Sequence, residues 1–147
     1  MTNPPLHGIV VVSVEQAVSA PLTSRYLAEL GATVIKVERP DGDFARGYDT
    51  LVAGQSTYFV WANRGKHSVV LDLHQPHDLH QLRELIAGAD VFLQNLAPES
   101  AARLGINAAQ VRAGHPMLVA CDFSGYGPDG PRSPDKAYDL AIQAEAG

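Results

Sequence analysis

The sequence predicts an α/β fold with a doubly wound, mostly parallel sheet, and two observations support this prediction. Five apolar runs rich in β-branched residues recur along the chain, and helical patterns separate most of them. Most of these runs are continuously apolar, which is typical of strands that are covered on both faces of a parallel sheet. Alternating strands and helices form right-handed βαβ units, and such units build a doubly wound sheet.

The individual elements follow from these patterns. The predicted strands are 8–14, 33–39, 67–73, 90–95 and 117–123. The predicted helices are 21–31, 77–90, 99–105, 107–114 and 137–147. Gly31 ends the first helix as a glycine cap, and Pro76 stands just inside the start of the second.

Two long segments do not fit the alternation of strands and helices. Residues 40–57 form a predicted loop rich in Gly and Asp, and residues 124–136 form another rich in Gly and Pro. Long loops are uncommon in compact domains and often carry function. Both segments are therefore candidates for a functional role.

Composition limits the classes of function. The chain has 147 residues, enough for one compact domain, and a formal net charge of -5 with no basic stripe, which argues against nucleic-acid binding. No apolar run approaches the roughly 20 residues that span a bilayer, and the N-terminus lacks the pattern of a secretory signal. The single cysteine, Cys121, is predicted to be a buried thiol. These features predict a cytoplasmic protein that acts on small molecules and does not bind membranes.

The stretch "SGYGPDGP" at 124–131 contains the spacing G-x-G-x-x-G of a dinucleotide-binding fingerprint. In such a site the glycines lead a strand directly into a helix whose N-terminus meets the pyrophosphate. Pro128, Pro131 and Pro134 disfavour a helix here, and the first predicted strand-to-helix turn, "VEQAVSAP", has no glycine. The sequence therefore predicts a turn or lid at this loop, and neither NAD nor FAD as a cofactor.

The sequence predicts neither a metal-binding site nor a phosphate-binding loop. The chain has no G-x-x-x-x-G-K-[ST] motif. His74, His77 and His80 are spaced by three residues, but Pro76 places His74 before the helix, so we predict solvated side chains and no metal site.

Several segments together resemble the class III CoA-transferases, a family that includes formyl-CoA transferase, carnitine CoA-transferase and α-methylacyl-CoA racemase. The motifs that carry the resemblance are "LGATVIKVERP", "NRGKxSxxLDL" and "GYGxxGP", and it extends over nearly the whole chain. It implies a Rossmann-like large domain, of which residues 1–147 form the CoA-binding part, and a homodimer with interlocked subunits. The implied substrates are an acyl-CoA and a carboxylic acid acceptor.

The resemblance also implies roles for individual residues. The positions that match the CoA site of the family are Arg39, Leu71, Asn95, Leu96, Arg103, Lys136 and Tyr138. A guanidinium such as that of Arg39 can stack on adenine while its edge reaches a phosphate. For Leu71 and Leu96, packing in the core is an alternative role.

Four further positions are implied to lie near the acyl group: Ala17, Val18, Gly125 and Gly127. Some transferases carry a glutamine at the position of Val18, where it touches the reacting carbonyl. The valine here lacks that polar contact.

The nucleophile of the family is an aspartate that attacks the thioester and forms a mixed anhydride. The resemblance places this aspartate after Gly147, so we expect no catalytic residue within the chain and no transfer by the 147 residues alone. Asp139 matches a structural position instead, that of an acid at a helix N-terminus.

Two alternatives to a CoA-transferase remain open. One is an α-methylacyl-CoA racemase, but racemases of the family tend to carry a histidine where this chain has Tyr138, and a phenol exchanges protons poorly near pH 7. The other is a non-catalytic nucleotide-binding module.

Overall fold

The computed structural model describes residues 3–147, with the side chain of Asp139 outside the described part. Within residues 3–147, five strands form one sheet: β1 (Val10–Val14), β2 (Thr33–Glu38), β3 (His67–Val70), β4 (Val91–Gln94) and β5 (Val119–Asp122). In this described part of the chain, six α-helices connect or follow the strands: α1 (Ser19–Glu29), α2 (Thr57–Asn63), α3 (Pro76–Ala87), α4 (Pro98–Leu104), α5 (Ala108–Gly114) and α6 (Asp139–Ala146). A 3-10 helix spans Phe44–Gly47.

The sheet confirms the predicted fold class. All four strand pairings are parallel, and the strand order is β3-β2-β1-β4-β5. The chain therefore builds one half of the sheet outward from β1 to β3, then returns to place β4 on the other side of β1.

Helices cover both faces of the sheet, as the sequence predicts. Val12 and Val14 of β1 pack in a core with side chains of α3, α4 and α5, whereas Val11 packs in a second core with side chains of α1. Because successive strand residues point to opposite faces, the two clusters lie on opposite sides of the sheet.

The expectation that the continuously apolar runs are buried on both faces is correct for β1, β2 and β4 and wrong for β3 and β5. Most residues of β3 and β5 are exposed because these strands form the two edges of the sheet. Cys121 lies on β5 and is exposed, so the prediction of a buried thiol is also wrong. An apolar run alone does not distinguish an edge strand from a central one.

The predicted loop at 40–57 is more ordered than the sequence suggests. Asp43 begins the 3-10 helix by accepting a hydrogen bond from the Ala45 amide at 2.9 Å. Ser56 caps α2, a helix that the periodicity did not indicate, by accepting from the Phe59 amide at 3.3 Å. This segment packs against the sheet next to the ends of β1 and β2.

Candidate functional site

A cleft with a volume of about 340 Å³ lies at the carboxyl ends of strands β1 to β4. Carboxyl ends of parallel strands meet at one edge of the sheet, and ligands of doubly wound folds bind where the strand order reverses. Here that point lies between β1 and β4. The cleft is lined by Val14, Glu15, Gln16, Val37, Glu38, Arg39, Gly42, Asp43, Leu71, Asp72, Leu73, His74, Leu96, Ala97, Ser100, Arg103 and Leu104.

Four of the predicted CoA-site residues line this cleft: Arg39, Leu71, Leu96 and Arg103. Both arginines are exposed and have weak or few contacts of their own. Arg39 donates from Nε to the carbonyl oxygen of Gly42 at 3.0 Å, and Arg103 reaches Ser100 Oγ at 3.4 Å. Leu71 is buried and also belongs to the core, so for this residue the two alternative roles coincide.

Asn95 contacts the turn after β1 and does not line the cleft. Its Oδ1 accepts a hydrogen bond from the Gln16 amide at 2.9 Å, and its Nδ2 donates to the Gln16 carbonyl at 2.8 Å. The side chain thus fixes both backbone groups of a residue that does line the cleft.

Ala17 and Val18 continue this turn and are half-buried. Ala17 has a φ of 64°, a left-handed conformation that is unfavourable for a residue with a Cβ. Its amide donates to Asp43 Oδ1 at 3.0 Å. Strained backbone that the surroundings hold in place is concentrated at functional sites, so this turn is a candidate for a functional role.

The remaining predicted residues lie on the segment between β5 and α6. Lys136 and Tyr138 are exposed, and Gly127 has a φ of 81° in open space. Gly125 packs against Ala137 and Ile142 so closely that a Cβ would overlap them. Tyr48, on the segment after β2, has a raised pKa. Burial is the main cause, and the charges of Asp43 and Tyr138 raise it further.

The segment after β5 does not have the geometry of a dinucleotide fingerprint. No helix begins within residues 124–138, all of which the structure describes, and α6 starts at Asp139. Gly125 is required by close packing, and Gly127 by its positive φ. Gly130 likewise has a positive φ, of 99°, so all three glycines have local structural reasons that do not involve a phosphate.

A buried polar network supports the turn after β1, and the sequence analysis did not identify it. Lys36 and Asp43 form a buried ion pair with 2.6 Å between Nζ and Oδ2. Lys66 and Glu15 form a second, with 2.7 Å between Nζ and Oε1. Asn63 Oδ1 accepts hydrogen bonds from both lysines, at 2.8 and 3.1 Å, and so joins the two pairs.

The buried ion pairs of this network affect the pKa of Lys66 and the stability of the fold. Burial lowers the pKa of Lys66 to about 8, against the attraction of Glu15. Removing one partner of a buried ion pair typically costs about 3–5 kcal/mol because the other charge stays buried without compensation. The signal in the sequence was Lys36, a charged residue within the apolar run 33–39, which requires a buried partner if that strand is central.

Glu38 forms a further group of contacts at the end of β2. It accepts from Arg46 at 2.8 and 2.9 Å, from Ser68 at 2.6 Å and from the Asp43 amide at 3.1 Å. Burial alone would raise the pKa of Glu38, but these hydrogen bonds outweigh it and lower the pKa to about 2. The carboxylate is therefore charged and fully engaged at neutral pH.

The histidines of "HQPHDLH" do not converge on a common site. His77 contacts Asp78 at 3.1 Å and His80 contacts Glu84 at 3.5 Å, whereas His74 lines the cleft. Among residues 3–147, apart from the Asp139 side chain, no three His, Cys, Asp or Glu side chains are grouped so that they could hold a metal ion.

Within the same part of the chain, no helix has the length and apolar character to cross a membrane.

Comparison with known proteins decides the family. The family model described as CoA-transferase family III matches residues 6–147, nearly the whole chain.

The chain belongs to this family.

Three relatives that align with nearly the whole chain are named as CoA-transferases. The chain is 37% identical over 144 residues to acetyl-CoA:oxalate CoA-transferase of Acetobacter aceti, an alignment that covers 97% of this chain and 37% of the relative. It is 33% identical to succinate–glutarate CoA-transferase of Agrobacterium fabrum, with 99% and 38% covered. It is 35% identical to formyl-CoA:oxalate CoA-transferase of Streptomyces coelicolor, with 100% and 36% covered. The chain thus spans less than two-fifths of the length of each of these relatives.

Solved structures of the family show the same fold. The protein Rv3272 from Mycobacterium tuberculosis superposes with a TM-score of 0.89 at 38% identity, covering 98% of this chain and 40% of the other. A CAIB/BAIF family protein from Brucella suis gives a TM-score of 0.88 at 33% identity, with 98% and 39% covered. These similarities confirm both the predicted family and the predicted α/β fold.

Proposed function

We propose that residues 1–147 form the CoA-binding part of an acyl-CoA:carboxylate CoA-transferase, which moves CoA between an acyl-CoA and a free carboxylic acid. The observation that carries the proposal is the cleft at the carboxyl ends of β1 to β4. Arg39 follows β2 and Arg103 lies on α4 after β4, so the two guanidinium groups flank the end of β1.

The lining of the cleft suits the chemistry of CoA. Arginine pairs with phosphate oxygens and stacks on aromatic bases, and CoA carries both groups. Leu71 and Leu96 supply apolar wall beside them. Four carboxylates that would repel phosphates line the cleft, and three of them, Glu15, Glu38 and Asp43, each form an ion pair. The fourth, Asp72, accepts hydrogen bonds from the His74 amide at 3.1 Å and from Gln75 Nε2 at 3.4 Å.

The family relatives support transfer as the reaction class. The three enzymes compared above are named for different acyl groups and acceptor acids, namely acetyl or formyl with oxalate and succinate with glutarate. We therefore propose CoA transfer as the reaction class of this chain, without a particular acyl group. Tyr138 at the position of the racemase histidine favours transfer over racemisation, because a phenol is a poor proton shuttle near neutral pH.

Three further features belong to the proposal. Lys136 and Tyr138 are proposed to complete the CoA site, with Ala17, Val18, Gly125 and Gly127 near the acyl group. Asn95 is proposed to belong to the CoA site by holding the backbone of Gln16. The attacking aspartate is proposed to lie after Gly147, and a homodimer with interlocked subunits is proposed from the family resemblance. Sedimentation velocity of the protein would test the dimer.

The function is tested by calorimetric titration of the 147-residue chain with CoA and, separately, with NAD⁺. We expect CoA to bind and NAD⁺ to bind at least tenfold more weakly or not at all. Equal affinity for the two would favour a general nucleotide-binding module. Binding of NAD⁺ alone would contradict the proposal.

Transfer itself is tested by incubating the chain with acetyl-, formyl- or succinyl-CoA and a panel of carboxylic acids, with mass spectrometry of the thioesters. We expect no exchange above the uncatalysed rate from the 147 residues alone. Exchange that disappears in Asp139→Asn would assign the attack to Asp139. Exchange that persists in this variant would assign it to another carboxylate of the chain.

A further inference from the structure

Gln16 presents a polar side chain that the folded chain does not satisfy. It lies at the carboxyl end of β1, is half-buried and lines the cleft. Its side-chain amide makes no hydrogen bond to any residue within 3–147 whose side chain the structure describes, although its backbone is fully bonded. A primary amide carries two donors and an acceptor, so the cleft contains unused hydrogen-bonding capacity at this point.

The position of this amide is fixed by its neighbours. Asn95 bonds both the N–H and the carbonyl of Gln16, and Asp43 bonds the N–H of Ala17. Asp43 is itself held by the buried ammonium of Lys36. The turn is thus constrained from two sides in a conformation that Ala17 would not adopt freely, and such constraint lowers the entropic cost of placing a side chain against a ligand.

Gln16 also differs from the charged side chains of the cleft. Arg39 and Arg103 are cationic and suit phosphates, and the carboxylates of Glu15 and Asp43 are paired with lysines. An uncharged amide instead matches an uncharged polar ligand group that both donates and accepts. In CoA the two amides of the pantetheine arm and the adenine base are such groups, and the adenine suits stacking on a guanidinium such as that of Arg39, which leaves the pantetheine arm for Gln16.

We propose that the side-chain amide of Gln16 binds an amide of the pantetheine arm of CoA. This inference rests on the proposed CoA function and adds a residue that the sequence analysis did not assign. Gln16 is then a ligand-binding residue, while Asn95 and Asp43 act through it as positioning residues.

The test compares CoA with adenosine 3′,5′-bisphosphate, which lacks the pantetheine arm, by titration calorimetry on the 147-residue chain. Gln16→Ala is expected to weaken CoA binding about 3- to 10-fold, the effect of losing a neutral hydrogen bond, and to leave the bisphosphate affinity unchanged. Gln16→Met, which keeps the length of the side chain without its hydrogen bonds, is expected to behave like the alanine variant. Gln81→Ala, at an exposed residue of α3, is the matched control and should bind both ligands as the wild type does.

The outcomes separate this inference from the proposal beneath it. Equal losses for both ligands, no loss for either, or full CoA affinity in Gln16→Met would each overturn the role of Gln16 while leaving CoA binding intact. A wild-type chain that binds neither CoA nor the bisphosphate would overturn the proposed function, and this inference with it.

Discussion

Arg39 and Arg103 are the guanidinium groups of the cleft, and each has few contacts within the chain. Because little else depends on them, substituting them should affect ligand binding more than folding. This makes them suitable residues for testing the phosphate-binding part of the account.

Arg39→Ala and Arg103→Ala are each expected to weaken CoA binding by roughly 10- to 150-fold, the effect of losing a charged hydrogen bond of about 1.5–3 kcal/mol. Isothermal titration calorimetry measures the change directly. Arg112→Ala, at an exposed arginine of α5 outside the cleft, is the control and should keep the wild-type affinity. Wild-type affinity in both cleft variants would remove these arginines from the site.

Glu38 links the cleft to stability at low pH. Its pKa in the folded chain is about 2, below the ordinary value of 4.5, because its hydrogen bonds outweigh burial. A carboxylate whose pKa is lowered by folding stabilises the fold at pH values above the ordinary pKa, and this stability is lost as the pH falls toward the folded pKa. Glu38 should therefore contribute fully above about pH 4.5 and progressively less down to about pH 2.

Glu38→Gln is expected to flatten this part of the pH profile of stability. The free energy of unfolding, measured with urea at several values between pH 6 and 2.5, should depend less on pH in the variant by roughly 1–3 kcal/mol. Glu99→Gln, at an exposed residue of α4, is the comparison and should follow the wild type. An unchanged slope in Glu38→Gln would show that this carboxylate is not stabilised as described.

Sequence reasoning at the residue scale found the exposed cleft residues better than the buried ones. Arg39 and Arg103 were identified through the family resemblance, at the end of a predicted strand and within a predicted helix, and both line the cleft. Lys36, Asn63 and Lys66 were not assigned, because their pairing depends on contacts between segments up to 51 residues apart. Such contacts leave no local periodic pattern.

At the scale of elements, the segment between β5 and α6 shows why similar glycines need different explanations. A Cβ at Gly125 would overlap Ala137 and lie 2.9 Å from Ile142 Cδ1, so this glycine allows α6 to pack against the segment. A Cβ at Gly127 would meet nothing within 4 Å, and only its φ of 81° favours glycine there.

Gly125→Ala is therefore expected to loosen α6, and Gly127→Ala is not. Hydrogen exchange of the α6 amides should become faster in Gly125→Ala, because the new methyl group forces Ala137 and Ile142 apart. Gly127→Ala serves as the matched variant: it should cost roughly 1–2 kcal/mol of local strain and leave exchange in α6 unchanged. Equal effects of the two substitutions would contradict the packing role of Gly125.

Two features that the sequence did not predict are helix α2 and the exposure of β3 and β5, and both depend on tertiary structure. Helix α2 is only seven residues long and contains aromatic and β-branched residues, so it lacks an amphipathic period and depends on its Ser56 cap and on tertiary contacts. The exposure of β3 and β5 follows from strand order, which apolar patterns do not encode. The long helices α1 and α3, whose periodicity is clear, were predicted to within a few residues.

At the scale of the whole molecule, strand order creates the site. The cleft lies beside the end of β1, with β2 and β3 on one side and β4 on the other, so residues from four separate parts of the sequence meet there. The sequence predicted the parallel sheet from its alternation of elements. It did not determine which strands would be neighbours, and the cleft could therefore be assembled only from the structure and not from the motifs alone.

The central claim is that CoA binds in this cleft, and mapping of CoA-induced amide chemical shifts by NMR tests it most directly. The account predicts the largest changes at the ends of β1 to β4, around Gln16, Arg39, Leu71 and Leu96, and much smaller changes on adding NAD⁺. Changes confined to the glycine-rich segment 124–131, or equal changes with CoA and NAD⁺, would contradict it.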